Sequence, residues 1–241
     1  MKILAAFGCS HVNGSMLDGK NGSSEYNIRN GFPGMLAKKY GYQLHNISKP
    51  GGSNQFIHRS VIHYVHNHVK DNREYLFLIG WTGLNRIELR YPDNTKHIHA
   101  TRGDFLDQKN IPFTPGTDPY LFKTFPVRDL LNFAPFLFPE TALRERWASY
   151  CIGLQNVLKN KNIKFVMFNT CERHEMIPTT KPILDRIDKS HYIDPQDQEA
   201  VYIDYLLGLG IEKTECWHFR HDGHKAWADV LERRLKILNY V

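Results

Sequence analysis

The sequence predicts an α/β fold, a central parallel sheet joined by crossover helices, on two observations. Short apolar runs recur along the chain, and stretches of helical spacing separate them. The composition agrees. With 241 residues, 41% hydrophobic and 23% charged, there is enough apolar material for one domain with a real core. The same proportions exclude a disordered chain, a collagen-like repeat and a coiled coil. No uninterrupted apolar run approaches the roughly 20 residues that a membrane span requires.

The first run, residues 3–7, reads as a buried strand ending at Gly8. A helix over 32–40 follows, closed by Gly41 where helices often take a left-handed residue. Residues 42–47 form the second strand, which ends at Pro50-Gly51-Gly52. Ser53 or Asn54 caps the next helix, whose Ile57, Val61 and Val65 repeat every four residues. Residues 75–79 are the third and most hydrophobic strand. The stretch 86–140 holds seven of the twelve prolines and nine Phe or Tyr residues, so it reads as an irregular insertion without long helices or central strands. Regular structure resumes with a helix over 141–158 and a strand over 163–168. A smaller polar excursion at about 171–195 leads to a helix near 198–207. Residues 211–216 are expected to form a last short strand. The final helix, over 222–238, carries Trp227, Leu231, Leu235 and Leu238 on one face. With no internal repeat, residues 1–241 read as a single domain with two elaborations.

Thirty-one basic against 25 acidic residues give a formal charge of +6. The excess is spread thinly and no recognised nucleic-acid fingerprint accompanies it, so it reads as a solubility feature, with nucleic acid set aside as a partner. Cys9, Cys151, Cys171 and Cys216 lie far apart with no C-x-x-C pair, and the apolar run after Lys2 is short for a signal peptide. A cytoplasmic protein with free thiols is expected, with no membrane partner.

Three segments each follow a predicted strand: Gly8-Cys9-Ser10-His11, Pro50-Gly51-Gly52-Ser53-Asn54 and Gly80-Trp81-Thr82-Gly83-Leu84-Asn85. A fourth, Glu215-Cys216-Trp217-His218, precedes the last helix. In open parallel sheets, loops from separate strands converge beyond the carboxyl ends. A serine hydroxyl is a weak nucleophile until a base takes its proton, and a carboxylate beyond that base fixes its tautomer. Ser10, His218 and Glu215 supply these three kinds of group. At a helix N-terminus Ser10 would also offer backbone N–H groups to a substrate oxygen, and Gly51 would let another N–H approach closely. Each segment also has a plain reading, in which Ser10 caps a helix, Pro-Gly-Gly-Ser-Asn is a turn with an N-cap, and Glu215 and His218 sit on a solvated turn. The order of all four is what favours a site.

Taken together the segments resemble the SGNH/GDSL hydrolase superfamily, serine esterases and acyl hydrolases on a flavodoxin-like, three-layer α/β/α sheet, and within it the members encoded by tailed phages. The resemblance places Ser10 as nucleophile and Gly51 in the second block. The Glu215-x-x-His218 spacing stands where the family has its Asp and catalytic His. The third block departs: the family's oxyanion-donating Asn is replaced by Thr82, with Asn85 three residues on. His11, Asn54 and Trp81 are candidate pocket residues. Cys9 reads as a small buried residue. His218, His221 and His224 are spaced three apart, but a zinc ion needs convergent ligands and these diverge along a helix, so neither metal nor cofactor is expected. Asp222 is an alternative acid or an N-cap. His58, His63, His66 and His68 read as a solvated or partly packed helix face.

The expected function is therefore a serine esterase or acyl hydrolase working through an acyl-enzyme at Ser10. Its substrate is a small-molecule or carbohydrate ester such as an O-acetyl group, and the activity rises through a histidine pKa near about 6–7. The alternative is a non-catalytic binding module on the same fold, supported by Thr82 and by Glu in place of Asp at Glu215.

Overall fold

In the computed structural model of the chain, residues 1–20, 22–84, 86–90, 97–101, 139–172, 180–193 and 200–241 are described. Four parallel strands make the central sheet: β1 (Lys2–Phe7), β2 (Gln43–Asn46), β3 (Glu74–Trp81) and β6 (Lys164–Asn169), in the order β2-β1-β3-β6. This is the beginning of the flavodoxin-like order, in which the first strand lies between the second and third. Beyond β6 the next position in the sheet holds a single parallel bridge, Met167 to Tyr192.

The layers follow from the alternation of side chains along β1. Ile3, Ala5 and Phe7 face one way, against Ile57, Val61 and Tyr64 of α4 (Asn54–His68) and Trp147, Cys151 and Leu154 of α5 (Glu140–Asn160). Leu4 and Ala6 face the other way. They meet Phe32 and Leu36 of α3 (Phe32–Tyr40) and, with Leu76 and Val166, share a core with Trp227, Leu231 and Leu235 of α8 (His221–Ile237). A strand buried on both faces must be apolar throughout, which is why β1 and β3 read as continuous hydrophobic runs. Of the shorter helices, α1 (Ser10–Asn13) leaves β1, α2 (Glu25–Asn30) precedes α3, α6 (Lys181–Leu184) follows β6, and α7 (Tyr202–Gly208) joins the α8 side.

Local signals place several boundaries. Gly41 ends α3 at φ +68 with its N–H on the Ala37 carbonyl. The Ser53 side chain accepts from the Phe56 N–H and starts α4. Two expectations need correction. Residues 211–216 form no strand of the sheet, and only the antiparallel bridge Lys213 to Phe219 is present there. Asp222 does not cap α8; Arg220 holds that position, and the Asp222 carboxylate accepts from the Gly223 N–H inside the first turn. The insertion begins with regular structure, an antiparallel hairpin of β4 (Arg86–Arg90) and β5 (His97–Thr101) separate from the main sheet. Both segments alternate apolar and polar residues, a period of two that the nearby prolines obscure. Residues 102–138 lie outside the described residues. Among the described residues no helix is long and apolar enough to cross a membrane.

Candidate active site at the carboxyl ends of the strands

The turn after β1 is shaped by what cannot fit there. A Cβ on Gly8 would lie 2.2 Å from Val12 Cγ2 and 3.0 Å from the Gly80 carbonyl oxygen, so only glycine lets α1 fold down onto the strand ends. The turn is then tied to the loop after β2. The Lys49 N–H donates to Gly8 O at 3.0 Å, Asn13 Nδ2 to Ser48 O at 3.3 Å, and Asn46 Nδ2 to Val12 O at 3.4 Å. Ser10 opens α1, with Cys9 as its N-cap residue.

His218 arrives from the other end of the chain. Its N–H donates to Thr214 Oγ1 at 3.1 Å and its carbonyl accepts from the Thr214 N–H at 2.7 Å. Trp217, at φ +64, takes the left-handed conformation that closes this tight loop. The loop turns the imidazole inward, where its ring lies 4.9 Å from that of His11, centroid to centroid. His11 also packs on Tyr202 at 5.3 Å. Ser10, His11 and His218 are 5%, 4% and 8% exposed, so the three form a nearly closed floor.

Burial dominates the electrostatics. It lowers the pKa of His218 to about 4, the neighbouring His11 contributing further, and it lowers that of His11 as well. Both rings are therefore neutral at neutral pH. His218 Nδ1 lies 3.3 Å from Cys216 Sγ, whereas its Nε2 is buried with no hydrogen-bond partner. No hydrogen bond joins Ser10 Oγ to that nitrogen.

The remaining expected residues are placed differently from one another. Glu215 is exposed and does not meet the His218 ring; Cys216 stands at Nδ1 instead. With Glu212 and Arg220 it lines an open cleft of about 870 Å³. Thr82 is buried and already engaged: its N–H donates to Asn54 Oδ1 at 2.9 Å, its carbonyl accepts from Asn54 Nδ2 at 3.1 Å, and its hydroxyl lies 3.4 Å from Cys171 Sγ. Asn54 thus braces β3 against α4 rather than lining an open pocket. Gly51 takes φ +74 but is exposed, with nothing within 4 Å of an added Cβ; the tight position is Gly52, where a Cβ would approach Lys49 O at 3.0 Å. Trp81 is wholly buried in the core beneath the site. Asn85 lies outside the described residues.

The three histidines of the last segment diverge, as their spacing implies. His218 faces His11, His221 meets Tyr26 Oη at 3.3 Å, and His224 is buried, accepting from the Phe32 N–H at 3.3 Å. The earlier cluster divides too: His58 stacks on Tyr150 at 4.4 Å, whereas His63 and His66 are exposed beside Asn67.

A group that local sequence did not point to completes the floor. Cys171, just after β6, lies 3.4 Å from Thr170 Oγ1, and Cys9 lies 3.4 Å from the same oxygen. The Cys9 thiol and the Arg86 guanidinium hold the Cys171 pKa down, while Cys9, the donor of that pair, is raised. Arg86 Nη1 is buried without a hydrogen-bond partner. Cys9, His11 and Cys171 place one ligand-type atom each within 4.8 Å of the others, the one such grouping of metal-ligating residue types among the described residues. All four cysteines are free. A signal was present in the sequence: Cys9 and Cys171 each stand just past the end of a predicted parallel strand.

Comparison with known proteins agrees on the fold. Residues 15–236 match a family of unknown function, DUF6071. The chain is similar in structure to the psychrotrophic esterase EstA from Pseudoalteromonas sp., in a form inhibited by monoethylphosphonate, with 10% identity, a TM-score of 0.50 and 99% of each chain covered. A second similar structure is the acetyl xylan esterase Est2A from the rumen bacterium Butyrivibrio proteoclasticus. There the identity is 12% and the TM-score 0.47, over all of this chain and 65% of that one. No curated protein matches significantly in sequence.

Proposed function

The chain belongs to DUF6071, a family of unknown function, and from its own side chains we propose that it is a serine hydrolase of the SGNH/GDSL kind, cleaving an ester through an acyl-enzyme at Ser10 with His218 as base. One observation carries the reading. The ring of His11, the residue after Ser10, packs at a tilt against that of His218, whose Nε2 is neutral, buried and without a hydrogen-bond partner. A desolvated nitrogen left unpaired costs free energy, and a substrate-bound serine hydroxyl is a partner that would recover it. Catalytic hydrogen bonds of this kind often close only in the substrate complex.

Ser10 Oγ adds to the carbonyl carbon as its proton passes to Nε2. The adduct expels the alcohol, which takes that proton, and leaves the acyl group on Ser10. Water repeats the sequence, releasing the acid and restoring the hydroxyl. The base is oriented by Cys216 Sγ rather than by a carboxylate, so the machinery is a dyad. Backbone N–H groups of the first turn of α1, which Ser10 opens, are the donors this reading assigns to the oxyanion. A short acyl ester of a carbohydrate or other small molecule is the substrate class.

A binding module on the same fold is favoured by one specific feature, the Thr82 N–H, which Asn54 already occupies. A fluorophosphonate probe separates the two readings. A hydrolase takes one probe per chain at Ser10, and Ser10→Ala and His218→Ala abolish the label, the loss of a positioned base costing about 10²–10⁴ in rate. Unlabelled wild-type protein, folded and tested across pH 5 to 9, overturns the hydrolase.

A further inference from the structure

We infer that Cys9, His11 and Cys171 form a three-ligand site for a soft divalent cation of the zinc class, beside Ser10. Two thiols and an imidazole are the donor set that zinc prefers, and here they come from two turns that the parallel sheet brings together, after β1 and after β6. A tetrahedral ion with bonds of about 2.0–2.3 Å holds its ligand atoms roughly 3.5–3.8 Å apart. The observed groups lie within 4.8 Å of one another, so side-chain movements of about 1 Å close the site around an ion.

A second observation points to a ligand. His11 is 4% exposed, and its Nδ1 is buried with no hydrogen-bond partner. A buried imidazole nitrogen is normally satisfied, and an ion held together with the two nearby sulfurs is a partner that would satisfy it. The surroundings supply an outer shell. Thr82 Oγ1, 3.4 Å from Cys171 Sγ, is placed to donate to a thiolate. A divalent ion with two thiolates is neutral and so is not repelled by the charge of Arg86. Binding is a simple exchange: the ion gains two thiolates and one neutral imidazole, and two protons pass to solvent. With three protein ligands the fourth position is left for water or a small ligand, the arrangement of reactive rather than purely structural zinc sites. Of the three ligands Cys171 is the half-buried one, Cys9 and His11 being buried.

The inference does not depend on hydrolysis, and its test reads the metal directly. The full-length reduced protein is titrated with Co²⁺ and followed by absorption. One equivalent is expected to produce thiolate-to-cobalt charge transfer in the near ultraviolet and the strong visible bands of tetrahedral cobalt, which Zn²⁺ then removes. Cys171→Ser should weaken binding by more than about 100-fold, beyond the cost of losing an outer-shell partner. His11→Gln should keep sulfur bands at lower affinity. Ser10→Ala and Cys216→Ser should bind as the wild type does, even where Ser10→Ala has lost the fluorophosphonate label. Circular dichroism identifies any variant that fails to fold, and wild-type stoichiometry and zinc displacement then decide. Folded wild-type protein giving only the weak bands of octahedral cobalt overturns the site. So does a thiolate band that survives undiminished in Cys171→Ser or disappears in Cys216→Ser.

Discussion

At His218 the surroundings reverse an expectation drawn from the residue type. A solvated histidine titrates near neutrality, and the sequence alone predicts activity rising through about 6–7. Burial lowers this ring to about 4, so the base is already neutral at pH 5. The metal-free protein is therefore expected to take the fluorophosphonate label at a rate that is flat from pH 5 to 9 and falls only below about 5. A half-maximal rate near 6.5 would mean that the ring is more hydrated than its packing against His11 implies. Glu215 follows the same logic. It is exposed and Cys216 stands at Nδ1, so Glu215→Gln should change the labelling rate by well under about 10-fold, against about 10²–10⁴ for loss of the base. A larger loss would return the carboxylate to the machinery. Ser10 and His218 were named from the sequence because the order of the segments along the chain points to them, and labelling at Ser10 is what tests the pair. Cys171 was harder to find: its place just past a predicted strand was visible, but its meeting with Cys9, which the packing of the parallel sheet brings about, was not.

The same contrast holds for elements. Helix α3 could be read to its last residue, because Gly41 supplies the left-handed stop and the apolar spacing fills one face. Helix α4 was equally plain, from Ser53 and a four-residue repeat. Residues 211–216 were misread because a short run with Ile211 and Thr214 looks extended whether or not a neighbouring strand exists to pair with it. Here the Thr214 N–H and hydroxyl both bond His218, and its carbonyl accepts from the Trp217 N–H. The turn between β1 and α1 gives the sharpest test at this scale. Gly8→Ala drives a methyl group into Val12 and the Gly80 carbonyl, which should destabilise the fold by about 1–3 kcal/mol in denaturant unfolding. An unchanged midpoint would mean that α1 does not sit on the strand ends as described.

Across the whole molecule, α3 and α8 are clasped by one carboxylate. Glu232 accepts from Lys39 Nζ at 2.5 Å and Tyr40 Oη at 2.7 Å, and Lys236 Nζ lies 2.6 Å from it. The hydrogen bonds from Lys236, Lys39 and Tyr40 lower its pKa to about 2. A carboxylate whose folded pKa is depressed adds stability fully present above its ordinary pKa of about 4.5, and that stability is lost as pH falls through the folded value. Wild-type protein should therefore exceed Glu232→Gln in unfolding free energy at pH 6, with the difference shrinking between about pH 4.5 and 2. A gap independent of pH would assign the effect to packing instead.

The packing of His11 against His218 joins residues near opposite ends of the polypeptide, with every sheet strand after β1 between them in sequence. Synthesis proceeds from the amino terminus, so a nascent chain holds the proposed nucleophile long before it holds the proposed base. The contact has to await closure of a loop of about two hundred residues, an arrangement that slows folding. Under the proposed hydrolase reading, competence is then acquired last, and acquisition of the probe during refolding would time the docking of the final helix.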